Sequence, residues 1–179
     1  GGFPVSRSTV MVATRAAGST AWDGPVAVDA PSDAIVSSDV GVAGDGGVAL
    51  IWGGGASEAR SAFRPAGSGW EPAQAISGGL GSSSVRVSAG QNGDVLASWL
   101  DQPGCRPTVA RRRHGGAWEA PVVLDANPIL CLGVAIEPRV TPDGEALAVW
   151  DGRSGVDDVL FSASSGAHDV AWTPALPLG

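Results

Sequence analysis

Lysine and tyrosine are both missing from this 179-residue sequence, methionine occurs once, and histidine and cysteine occur twice each. Every strong cation is therefore an arginine. The 11 arginines stand against 18 acidic residues, a formal charge of −7. A surface of that sign repels phosphate backbones and anionic membranes, so neither nucleic acid nor membrane insertion is expected. The one basic run, Arg111-Arg112-Arg113-His114, reads as the solvated end of an edge strand. The lack of tyrosine excludes chemistry built on a phenolic nucleophile. His114 and His168 lie far apart with no Cys/His cluster, which leaves zinc without a ligand set. Asp169 adjoins His168, but neighbours in an extended segment face opposite sides, so no Ser/His/Asp triad forms there. Both histidines are expected in exposed turns. No apolar run approaches the ~20 residues of a membrane helix, and glycine interrupts every candidate helical stripe.

What is abundant is glycine (27), proline (13) and tryptophan (7), and they come in a fixed order. Trp22, Trp70, Trp118 and Trp172 each follow a turn-rich stretch and precede a proline, with spacings of 48, 48 and 54 residues. Trp52, Trp99 and Trp150 form a second series, spaced 47 and 51. The two series account for every tryptophan, so the chain is an internal repeat. Asp45-Gly46, Asn92-Gly93 and Asp143-Gly144 lead into the second series. Between apolar stretches such dipeptides predict two-residue hairpin turns with positive φ. The strands that follow, Val48–Trp52, Val95–Trp99 and Ala146–Trp150, are apolar on both faces and must be covered on both sides.

Each unit thus reads as four strands. The first falls near Val40–Val42, Val85–Val87 and Arg139-Val140; the second ends at Trp52, Trp99 or Trp150. The third falls near Val10–Thr14, Arg60–Arg64, Thr108–Arg112 and Val159–Ala163, and the fourth after the other tryptophans, as in Pro121–Leu124. Four-stranded antiparallel units of this length are blade-sized, and a fixed repeat is what a propeller requires, because each blade packs on an equivalent neighbour. A β-sandwich has no such need. The expected fold is all-β, a β-propeller of four-stranded antiparallel blades. The units are a partial blade at 1–38 and blades at 39–84, 85–136 and 137–179. An open arc leaves a blade face uncovered at each end, so remaining blades or another chain are expected to complete a larger ring. The opening Gly1-Gly2-Phe3-Pro4 has neither the charged start nor the apolar core of a secretory signal, and such a signal is expected upstream or already removed.

The Asp-Gly turn, the apolar strand ending in Trp and the glycine-rich turn before Trp-x(1,2)-Pro together resemble the repeats of bacterial secreted propellers related to the sialidase-repeat superfamily. The resemblance runs over nearly the whole chain and implies an extracellular or cell-surface protein. Of the family's Asp-box, Ser-x-Asp-x-Gly-x-x-Trp, the chain keeps Asp143-Gly144 and Trp150 at altered spacing. Without a tyrosine, sialidase activity is not implied.

In a meander, the loops after second and fourth strands emerge at one end, and the least repeat-like stretch, Asp125 to Pro138, lies there. Asp101, Asp125, Asp151 and Arg153 are the candidate ligand-binding residues at that end. No catalytic residue and no resident cofactor are expected; loop carboxylates could ligate calcium, although their spacing fits no calcium loop. The repeated tryptophans are read as packing between blades, not as sugar platforms. Cys105 and Cys131 lie on loops at the same end and are expected to form one disulfide in an oxidising compartment. The function expected is a non-catalytic binding or structural module for a protein or glycan. The alternative is a glycan-active hydrolase or lyase, its acids on the long-loop face or on blades outside this chain.

Overall fold

The computed structural model describes residues 7–16, 18–30, 35–54, 57–126, 134–154 and 157–178. Its first two strands, Met11–Thr14 (β1) and Asp23–Ala27 (β2), pair as a hairpin. Three four-stranded units follow in chain order. The second unit holds Ser37–Val42 (β3), Val48–Gly54 (β4), Ser57–Arg64 (β5) and Gln74–Ala75 (β6). The third holds Gly81–Ala89 (β7), Val95–Gln102 (β8), Pro107–Arg112 (β9) and Val122–Val123 (β10). The fourth holds Ile136–Val140 (β11), Ala146–Ser154 (β12), Asp157–Ser165 (β13) and Leu176–Pro177 (β14). Within each unit every strand pairs antiparallel with the next in sequence, and one residue pair, Glu58 with Gly81, links the second unit's sheet to the third. The described residues contain no helix, and so none long and apolar enough to cross a membrane. The leading strands start at Ser37, Gly81 and Ile136, slightly ahead of the unit boundaries drawn from the tryptophans.

The hairpin turns differ from the two-residue form expected. Ala43 N–H bonds Gly47 O at 2.8 Å, Gly90 N–H bonds Asp94 O at 2.8 Å and Thr141 N–H bonds Glu145 O at 2.9 Å. Each closes a three-residue loop, in which only the glycine has positive φ: +88° at Gly46, +87° at Gly93 and +87° at Gly144. This is a type I turn with a glycine bulge, which asks for a left-handed residue once and leaves Asp or Asn in ordinary backbone space. Successive turns also touch. Gly44 N–H bonds Gly90 O at 3.1 Å, and a Cβ on Gly44 would lie 2.7 Å from the Gln91 backbone.

Apolar cores lie between the units. Alternate residues of β4 point to opposite faces, so Trp52 packs with Val28 and Ala62 on one side. Ala49 and Ile51 pack on the other side, with Val87, Ala97 and Trp99 of the third unit. Leu96 and Leu100 of β8 then meet Ile136, Ala148 and Trp150 of the fourth. Each of the three seams holds one second-series tryptophan at its centre, and Trp52, Trp99 and Trp150 are all about fully buried (0–1% exposed). Covering a strand from both sides is why these strands are apolar throughout.

Arginines tie the seams. Arg60 of β5 donates from Nε to Asp29 Oδ2 at 2.8 Å, back to the segment just past β2. From β9, Arg112 reaches back to Glu71 at 3.0 Å and lies 3.8 Å above the Phe63 ring. Arg111 reaches forward, donating to Gly166 O at 3.0 Å, Ala167 O at 3.1 Å and Gly144 O. Arg113 donates to Ala167 O and to Asp169 O at 2.7 Å. The basic run is thus no solvated edge: Arg111 and Arg112 are buried. A solvated edge was expected because local alternation shows which faces a strand has, not whether a neighbouring sheet covers them.

Candidate functional site

Strand direction sets Asp101, Asp125, Asp151 and Arg153 at one end, since β8, β10 and β12 all run toward it. Asp101 closes the β8–β9 connection. Its Oδ1 accepts the Arg106 N–H at 2.8 Å, and its Oδ2 accepts Arg106 Nε at 2.9 Å and Nη2. The backbone adds Asp101 N–H to Arg106 O at 3.1 Å and Cys105 N–H to Asp101 O at 2.7 Å. The carboxylate is 1% exposed, and its hydrogen bonds hold the Arg106 guanidinium above its usual range. Both carboxylate oxygens are thereby engaged, while the Arg106 side chain stays 37% exposed. Asp125 lies half-buried just past β10, and Asp151 is exposed on β12 opposite Leu160. Arg153 stands opposite Asp158 in the β12–β13 register. Among the described residues no hydrogen bond or ion pair joins Asp101 to Asp151. The partner of Asp101 is Arg106, five residues on, a spacing that marks a carboxylate clamping a tight loop.

Cys105 is buried and is no free thiol. Its expected partner, Cys131, lies outside the described residues. Among those residues no group of three or more His, Cys, Asp or Glu gathers as for a metal ion.

The opposite end carries the stacked turns. Asp94 accepts Arg111 Nη2 at 2.7 Å through Oδ2 and the His114 N–H at 2.8 Å through Oδ1. Burial alone would raise its pKa; the bonds from Arg111 and the His114 backbone outweigh that and hold it below the usual value. His114 lies in an exposed turn, as expected, and its Nδ1 sits 3.1 Å from Asp45 Oδ2 of the second unit. His168 is exposed.

A third feature had no sequence signal: an open depression of about 250 Å³ between β1 and the β3–β4 hairpin, lined by Val10, Met11, Ser38, Val40, Leu50 and Trp52. Each lining residue looks ordinary in the sequence; the hollow arises only from the way the hairpins stack.

No family model matches the chain, and no curated protein matches it. Among solved structures it is similar to AofleA from Arthrobotrys oligospora, with 14% identity over 79% of this chain and a TM-score of 0.35. A variant of that protein with three arginines replaced by alanine gives 14% identity, 79% coverage and a TM-score of 0.36. The chain spans 56% of the length of each.

Proposed function

We propose that the chain is an arc of β-propeller blades acting outside the cell as a non-catalytic binding module for a protein or glycan. The observation that carries this reading is the location of the apolar cores: those around Trp99 and Trp150 each lie between two equivalent four-stranded units, as blade-on-blade packing requires. The ionisable groups support the binding role. Asp101, Arg111 and Arg112 hold loops and seams together, whereas exposed carboxylates such as Asp151 and Asp157 stand at the long-connection end. Polar, exposed loops carried on a rigid stack are the usual setting for recognition.

Screening the full chain against glycan and protein arrays at neutral pH tests the proposal. Expected is saturable binding that Asp151→Arg abolishes without shifting the melting temperature. Turnover of a glycan substrate, lost in Asp125→Asn or Asp151→Asn, would replace it with the hydrolase reading. A crystal structure showing two facing sheets would end the propeller assignment.

A further inference from the structure

We infer that the face of the second unit turned toward β1 and β2 is a docking site for one β-hairpin from outside residues 1–179, of the same kind as β3–β4 and β7–β8. The molecule shows twice what occupies this position. In the third unit the face is covered by β3 and β4, and in the fourth by β7 and β8. Counting back from the Asp/Asn-Gly turns, Val40 and Val42 correspond to Val87 and Ala89, and to Pro138 and Val140. Val40 is 55% and Val42 66% exposed, whereas Val87 is 9% exposed and Ala89, Pro138 and Val140 are buried or half-buried. The 250 Å³ depression lies on this same surface.

The strand edges agree. In the second, third and fourth units the trailing hairpin pairs with a leading hairpin, β4 with β5, β8 with β9 and β12 with β13. In the first unit β1 pairs with β2, and among the described residues no strand pairs with its other edge. The incoming hairpin would add its second strand there, making a four-stranded sheet by β-augmentation.

The seams also specify the hairpin's chemistry. Ala43 N–H bonds Gly47 O, so the N–H and C=O of Ser38, Val40 and Val42 point off the sheet edge, where Asp39 Oδ1 already accepts the Val40 N–H at 2.9 Å. In later units the preceding hairpin caps those edge groups. Ser37 Oγ donates to Val85 O at 3.5 Å and Asp39 Oδ2 accepts Val87 N–H at 2.9 Å. Ser98 Oγ donates to Ile136 O at 2.8 Å and Ser88 Oγ accepts Val140 N–H at 3.2 Å. Ser38 O is the counterpart of Val85 O and Ile136 O. The partner hairpin therefore presents small or aliphatic side chains to Val40 and Val42, and a serine hydroxyl to Ser38 O. A second copy of the chain does not fit: each of its leading hairpins is already paired with its own trailing one.

The inference rests on the propeller reading only in that a preceding unit is what the repeat calls for. Its test uses a backbone-cyclised peptide of residues 37–54, titrated into the full chain by calorimetry, with hydrogen exchange read at Val40 and Val42. Expected is one-to-one binding with a dissociation constant on the order of micromolar, and slower exchange at both amides. The exposed double variant V40D/V42D should weaken binding at least ~10-fold, and L147D/V149D, at the far end of the stack, should leave it unchanged. Absence of binding, binding indifferent to V40D/V42D, or self-association of the chain that V40D/V42D dissolves would each overturn the inference. None of these outcomes depends on ligand arrays or on ring closure, so the two readings fail separately.

Discussion

Arg111 and Arg112 are neighbours on β9, yet their guanidinium groups sit in different seams, one against Gly144 and Gly166 of the fourth unit and the other over Phe63 of the second. Strand alternation turns two adjacent cations into ties running in opposite directions. Arg111→Met should cost about 3–5 kcal/mol, because it leaves the Asp94 carboxylate buried and unpaired. Arg113→Ala, at a side chain 31% exposed, should cost about 1 kcal/mol or less. Urea unfolding of the two variants decides; equal small losses would make the run a solvated edge after all.

Acid should loosen the third seam. The bonds from Arg111 and the His114 N–H hold Asp94 below the ordinary carboxylate value in the folded protein, so its stabilising contribution is complete above the unfolded value of about 3.9. That contribution is lost as pH falls through the lower, folded value. Asp94→Asn should therefore be less stable than the parent at pH 7, and the gap should close below about pH 4. Urea midpoints measured across that range give the comparison; a gap independent of pH would remove Asp94 from the acid transition.

Tryptophans of the two series should behave differently. Trp99→Ala deletes a fully buried ring at the centre of a seam and should cost about 3–5 kcal/mol. Trp22, 63% exposed with Arg15 5.3 Å from its ring centroid, should cost about 1 kcal/mol or less when truncated. Thermal unfolding checks both. Loss of ligand binding in Trp99→Ala without loss of stability would mark that ring as a platform.

The expected bridge between Cys105 and Cys131 is tested by mass spectrometry of the unreduced, alkylated protein. No alkylated cysteine is expected, and reduction should lower stability by roughly 3 kcal/mol on the chain-entropy model. Two alkylated cysteines would withdraw both the bridge and the extracellular assignment.

The sequence made the repeat, the strands and the buried role of Trp52, Trp99 and Trp150 legible, because periodicity and two-sided hydrophobicity are local properties. What it did not show lay in local turn geometry, in pairing within one loop and in the contacts between units. The Asp45-Gly46 loop proved one residue longer than expected, since only glycine needed positive φ. Asp101, read as a candidate ligand-binding residue, is bonded to Arg106 five residues away, a partner that the sequence spacing alone does not announce. The 250 Å³ depression had no signal at all, because it depends on which hairpin covers which.

Because the cores lie at contacts between units and not inside them, stability here is counted in junctions. Four units make three junctions, and a unit excised from the stack would keep its hydrogen-bonded strands while losing the apolar contacts that hold them flat. Such a chain behaves as a one-dimensional lattice with nearest-neighbour coupling. Adding a unit adds a junction, so length raises cooperativity, and damage at Trp99 would divide the molecule into two shorter stacks instead of melting it evenly.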